Sequence, residues 1–238
     1  MEYLKSYSAY YNEDLIIEGI NLTPFLDKFK RSVNKKVVAN IIIGSLLSVL
    51  TTNQILNFID SRQDITEDEK NLLVDTISKF KDPTLMFLSQ AGWEHIKEEE
   101  KLRLTVYKIG DGMVTVGYGH AERIGQTKLK VGQKITYEEA MQFLITDVNT
   151  AAQGVKRMFK QWKDEGVEVY ITQNQYDVLV SMAFNLGVKG LRRTEFVEHL
   201  KNNDFEKAAH KIKETGISSK FPGLYKRRLR EFELFISD

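Results

Sequence analysis

The sequence predicts an α+β chain, mostly helical, with one small antiparallel β-hairpin sheet and a helical module at the N-terminus. Three observations carry that prediction. Leu102, Leu104 and Val106 alternate with Arg103, Thr105 and Tyr107, and after Gly110-Asp111-Gly112 the alternation resumes at Val114, Val116 and Tyr118, as in a hairpin. On either side of that stretch, apolar residues recur at helical spacing. Helix-start signals of the form Thr-x-x-Glu stand at Thr66 and Thr136, and only three Pro in 238 residues interrupt the helical runs.

In chain order, a polar arm to about Asn21 precedes a helix from about Thr23 to Val33 and an apolar helix reaching about Leu56. The run Val37 to Leu50 is fourteen residues long and contains Asn40, Gly44 and two Ser. A membrane span needs about 20 residues, and runs of about 10–14 belong more often to buried core helices. Core helix is the first reading, and the basic residues between Lys28 and Lys36 keep membrane contact through Val37–Leu50 open as the second. Thr66-Glu67-Asp68-Glu69 caps the next helix. A break follows at Lys79 to Thr84, where Asp82-Pro83 makes an N-cap and first-turn pair, so residues 1–80 are expected to form a module of their own, followed by a second domain over 81–238.

Pro83 to Glu100 reads as an amphipathic helix through Leu85, Leu88, Trp93 and Ile96, and the hairpin comes next. Helices are then expected from Thr136 to about Lys160, from Thr172 to a glycine stop at Gly187, and over about Arg193–Asn202, Phe205–Glu214 and Gly223–Ile236. No internal repeat or low-complexity tract is visible.

The formal net charge is +1, from 34 basic and 33 acidic residues. That balance argues against a nucleic-acid-coating protein, which needs a large positive excess. Residues 1–80 hold nine Lys/Arg and eleven Asp/Glu, so the remainder is slightly basic. Lys220, Lys226, Arg227, Arg228 and Arg230 cluster there, suggesting a local basic face suited to an anionic polymer. There is no cysteine, hence neither a disulfide framework nor a thiolate metal site. The four His, at 95, 120, 199 and 210, show no metal-binding spacing, so no metal and no cofactor is expected. The polar, acidic start MEYLKSYSAYYNEDL does not read as a secretory signal.

Chemistry concentrates between Glu100 and His120. An acidic side chain ends a helix, and a glycine-rich hairpin carrying Thr115 and His120 follows, which can gather a carboxyl, a hydroxyl and a polar turn around one cleft. This stretch resembles the phage-type lysozymes, glycoside hydrolase family 24 of the T-even endolysin type. Their pattern is a Glu, eight residues, an Asp or Cys, five residues, a Thr, and a closing Gly-x-Gly-His; Glu100, Ile109, Thr115, Gly117, Gly119 and His120 occupy those positions without a gap. Two later segments, Ser181 to Gly187 and Phe221 to Arg228, resemble the family's Ala-Phe-Asn-x-Gly and Gly-Leu-x-x-Arg-Arg elements. The resemblance covers about residues 85–236 and departs from the pattern at Ile109, at Lys101 in place of the usual Gly after the Glu, and in the basic loop Glu122 to Gln133.

The resemblance implies a lysozyme-like α+β fold and metal-free cleavage of the β-1,4 bond between N-acetylmuramic acid and N-acetylglucosamine in peptidoglycan. Glu100 would be the general acid, with Glu98 and Glu99 as like charges helping to hold its proton. Ile109 cannot orient a water, so Asp111, two residues on and on the same side of an extended segment, is the candidate for that role; the other reading makes it a turn residue only. Thr115 is the third catalytic candidate. Asn185, Tyr118 and Arg228 are candidates for substrate binding, while His120, Gly117, Gly119 and Arg227 are expected to support the site. Either Arg227 or Arg228 can pair with Glu100. The expected partner is bacterial peptidoglycan, with virion proteins a further candidate through residues 1–80. The setting implied is host cytoplasm with later release to the periplasm or wall, or the phage virion. Two other functions stay open: a catalytically impaired wall-binding or structural virion protein, and a bacterial toxin or secretion-associated lysozyme.

Overall fold

A computed structural model of the chain describes residues 16–17, 20–109, 112–217 and 222–237. A minimal two-stranded pair, β1 (Ile16–Ile17) and β2 (Ile20–Asn21), leads into four helices: α1 (Thr23–Arg31), α2 (Lys35–Leu46), α3 (Thr52–Ser61) and α4 (Glu67–Lys79). The expected single apolar helix reaching Leu56 is therefore two. Thr51 begins a new helix there, because its hydroxyl accepts from Gln54 N while the Gln54 side chain accepts from Thr51 N. Thr66 and Glu69 make the same reciprocal cap, as their spacing predicts.

One face of the apolar run 37–50 lies inside the protein, while Val49 is exposed. Ala39, Ile42, Ile43, Leu46 and Leu50 are buried, and no helix among the described residues is long and apolar enough to cross a membrane. Gly44 permits the closest approach in this region. A Cβ there would stand 3.0 Å from ring atoms of both Phe80 and Phe205, and those two rings meet edge to face. Ser45 Oγ donates to Asn203 O at 3.0 Å, and Lys28 pairs with Glu206. Residues Leu26, Ile43, Phe80, Phe205 and Phe235 thus share one continuous core.

After a 3₁₀ turn at Pro83–Leu85, helix α5 runs over Gln90–Glu100. The expected unbroken helix from Pro83 is interrupted for a local reason. Asp82 Oδ1 accepts from Thr84 N and closes a short turn, and Ser89 N donates to Asp177 before its own side chain caps α5. Strands β3 (Arg103–Ile109), β4 (Met113–Gly117) and β5 (His120–Arg123) then form an antiparallel meander. The third strand is an addition to the expected hairpin, made possible by the tight Tyr118-Gly119 reversal. Val106, Val114, Val116, Ile135 and Ala140 form a small separate core beneath the sheet.

The remaining chain is helical: α6 (Tyr137–Asp164), α7 (Gln173–Leu186), α8 (Val188–Leu191), α9 (Glu195–Lys201), α10 (Phe205–Ile212) and α11 (Pro222–Ile236). Thr136 and Thr172 both make full capping boxes, and Gly187 closes α7 at φ +72°. Helix α6 spans 28 residues, about 42 Å at 1.5 Å per residue. Its first turns carry the sheet and its later turns face α7.

Candidate functional site

Glu100 is the last residue of α5, and the chain leaves it through Lys101 at φ +50°, ψ +111°, a conformation that side chains with a Cβ rarely adopt. That explains why glycine is usual at this position in the family the motif resembles. The side chain of Glu100 is 18% exposed, and its Oε1 accepts from Arg227 Nη1 at 2.5 Å. Its Oε2 faces the β4–β5 reversal, where a Cβ on Gly119 would stand 3.2 Å away. Gly119 sits at φ +90° and Gly117 at φ +67°, so the turn needs glycine both for its backbone and for its approach to the carboxyl.

Behind the Glu100 contact lies a buried ionic cluster. Arg227, Arg228 and Glu231 of α11 are 4%, 0% and 0% exposed. Glu231 accepts from Arg227 Nε at 3.2 Å, from Ser181 Oγ at 2.7 Å and from Arg228 Nη1. Arg228 also donates to Thr215 O at 2.9 Å and to Asn185 Oδ1 at 2.6 Å. Two guanidinium groups face two carboxylates, Glu100 and Glu231, so each buried charge has a partner.

This arrangement corrects the expected basic face. Arg227 and Arg228 turn inward, and Arg230 Nε donates to Glu99 Oε1 at 2.5 Å; Lys220 lies outside the described residues. The Arg230 pairing also changes the role of Glu99. Burial alone would raise its carboxyl, but the Arg230 guanidinium holds it below the usual range, so Glu99 is a paired carboxylate and not a like-charge support for Glu100.

The other candidates fall as follows. Thr115 is 3% exposed, and its hydroxyl has no hydrogen-bond partner among the described residues, which leaves it able to bond an incoming group. Ile109 ends β3 opposite Met113, and Asp111 lies outside the described residues. Tyr118 is buried, and its hydroxyl is raised by that burial and by Tyr137. Arg228, expected at the substrate, has no exposed surface, because Thr215, Glu231 and Asn185 use its donors. Asn185 is half-buried at the end of α7.

His120 lies between two carboxylates. Its Nδ1 lies 2.8 Å from Asp147 Oδ2 and its Nε2 3.1 Å from Glu122 Oε1, and its ring stacks on Phe143 at 4.2 Å. The Asp147 carboxylate raises its pKa, burial opposes that, and Glu122 adds to the rise. Sequence reasoning missed Asp147, which lies 27 residues away with no local signal. It also missed Glu231, although Glu at three and four residues after two Arg on one helix is a readable signal.

Residues 97–231 match the family described as phage lysozyme. The endolysin of Acyrthosiphon pisum secondary endosymbiont phage 1 is 35% identical over 158 residues, which cover 64% of this chain and 99% of that protein. The endolysin of Bacillus phage B103 is 34% identical over 156 residues, 64% of this chain and 55% of its own length. Among solved structures, the muramidase domain of SpmX from Asticaccaulis excentricus matches with a TM-score of 0.54 and 27% identity, covering 64% of this chain and 99% of that one. The endolysin of Escherichia coli O157:H7 phage FAHEc1 matches with a TM-score of 0.52 and 30% identity, covering 63% and 94%.

Proposed function

The chain belongs to the phage lysozyme family, a glycoside hydrolase that breaks down peptidoglycan, and from that premise we propose that Glu100 is the general acid. In this reading Glu100 protonates the oxygen linking N-acetylmuramic acid to N-acetylglucosamine as the bond breaks. The observation that carries the assignment is the placement of Glu100 between Arg227 and the Gly119 turn. Oε1 is engaged by the guanidinium, which leaves Oε2 at the turn to carry the proton. Arg227 also donates to Glu231, which fixes the guanidinium that positions the Glu100 carboxyl.

An attacking water enters on the opposite face of the sugar. Inverting chemistry wants the two carboxyls about 6.5–9.5 Å apart to hold it. Asp111 takes the water-orienting role in this proposal, since Ile109 cannot accept a proton, and the partnerless hydroxyl of Thr115 is the second hydrogen-bonding group for that water. Turbidity clearing of purified cell walls tests both assignments. Glu100→Gln is expected to lower the rate by about 10²–10⁴-fold, and Asp111→Asn by a comparable factor; near-full activity of Asp111→Asn would remove Asp111 from the mechanism. The similarity to endolysins does not favour the non-catalytic alternative.

Residues 1–80 lie outside the matched family region. We assign them a docking role toward a structural protein of the virion, with free release from the host cytoplasm to the wall as the other setting. Co-sedimentation of the chain with intact particles, and its loss on deleting residues 1–21, is the supporting outcome.

A further inference from the structure

Arg228 and Glu231 reach no solvent, yet they tie Glu100 and Asn185 into one network. Glu231 holds Arg227, which holds Glu100, and it holds Arg228, which holds Asn185. Ser181 and Asn185 stand one turn apart on the same face of α7, and Ser181 contacts both Arg227 and Glu231. The orientation of an asparagine amide is usually ambiguous, because oxygen and nitrogen look alike. Here it is settled by chemistry. An arginine has donors and no acceptor, so the atom of Asn185 that meets Arg228 at 2.6 Å must be its oxygen. The nitrogen then points the other way. Among the described residues nothing accepts from Asn185 Nδ2, and that atom is not buried.

We propose that Arg228, fixed by Glu231 and Thr215, is a positioning residue that locks the Asn185 amide with its N–H₂ toward the cleft, so that this subsite selects a hydrogen-bond acceptor, the acetamido carbonyl of the wall glycan. An amide free to rotate would serve donors and acceptors alike. This one serves acceptors only. The inference rests on the groove beside Glu100 being the glycan site, and its test is therefore read by binding as well as by turnover.

The test measures calorimetric binding of a tetrasaccharide of alternating N-acetylglucosamine and N-acetylmuramic acid to Glu100→Gln protein, alone and combined with Asn185→Asp. The added Asp keeps an acceptor for Arg228, now charged, but has no donor for substrate. The expected result is a melting temperature equal to or above the parent's, with affinity weakened about tenfold, the size of one lost hydrogen bond. Arg228→Met should weaken binding as well, and should add less than about twofold in the Asn185→Asp background, because it acts through that amide. Binding within about twofold of the parent after Asn185→Asp overturns the proposal. A lowered melting temperature overturns it equally, since the Arg228–carboxylate contact it depends on would be absent. Wild-type protein that binds the tetrasaccharide but never digests walls contradicts the proposed catalysis and leaves this subsite judged by its own affinities.

Discussion

Replacing Lys101 by glycine should stabilise the protein. Lys101 follows Glu100 at φ +50°, ψ +111°, where the helix hands the chain to β3. Holding a residue with a Cβ in such a region costs about 1–3 kcal/mol. Glycine removes most of that, but its unfolded chain is freer by about 0.5–1 kcal/mol. The net gain is on the order of 1 kcal/mol, which for a domain of this size is a rise in melting temperature of about 2–4 °C. Lys101 is exposed and forms no ion pair among the described residues, so loss of its charge should matter little. Lys101→Ala is the control: it keeps the Cβ and should melt within about 1 °C of wild type. Circular dichroism melts of the three proteins decide the matter. Wall clearing by Lys101→Gly should match wild type, since Glu100 keeps its contacts with Arg227 and the Gly119 turn. A lower melting temperature for Lys101→Gly, or an equal gain from alanine, would refute the backbone explanation.

Asp147→Asn should destabilise the protein most at low pH. The folded-state pKa of His120 is raised, first by Asp147, so the stabilisation is fully present below the unfolded value of about 6.5 and disappears as pH rises through the folded value. The gap in melting temperature between wild type and variant should therefore narrow as pH rises above about 6.5, and a constant gap would contradict the pairing. Gly154→Ala should cost about 1–3 kcal/mol in a denaturant titration, because its Cβ would stand 2.1 Å from Val188 Cγ2 where α6 meets α8. Thr51→Ala should cost about 1 kcal/mol by removing the cap that separates α3 from α2; no change in stability would show that the cap is dispensable.

Much of the fold was legible because its signals are local. Thr66, Thr136 and Gly187 mark helix ends through side-chain caps or glycine conformation that need no tertiary context, and the alternation over 102–118 needs only the period of a strand. The misplaced boundaries came from competing local chemistry. Thr51 and Gln54 restart a helix inside an apolar run, and Asp82 and Ser89 do the same between Pro83 and Glu100. At the candidate site, the motif spacing singled out Glu100, Thr115 and the two glycines. What composition could not reveal was direction: five cations near the C-terminus looked like a surface patch, yet Arg227 and Arg228 point inward because Glu231, one helical turn on, and Glu100, far away in sequence, neutralise them. Asp147 shows the same limit, since its value to His120 exists only after α6 crosses the sheet.

The most direct test of the central claim, that Glu100 delivers the proton to the glycosidic oxygen, is mass analysis of the soluble fragments released from purified peptidoglycan. Wild-type protein should release muropeptides whose new reducing end is N-acetylmuramic acid, and Glu100→Gln, folded as judged by its melting curve, should release essentially none. Fragments ending in N-acetylglucosamine, or equal release by the variant, would contradict it.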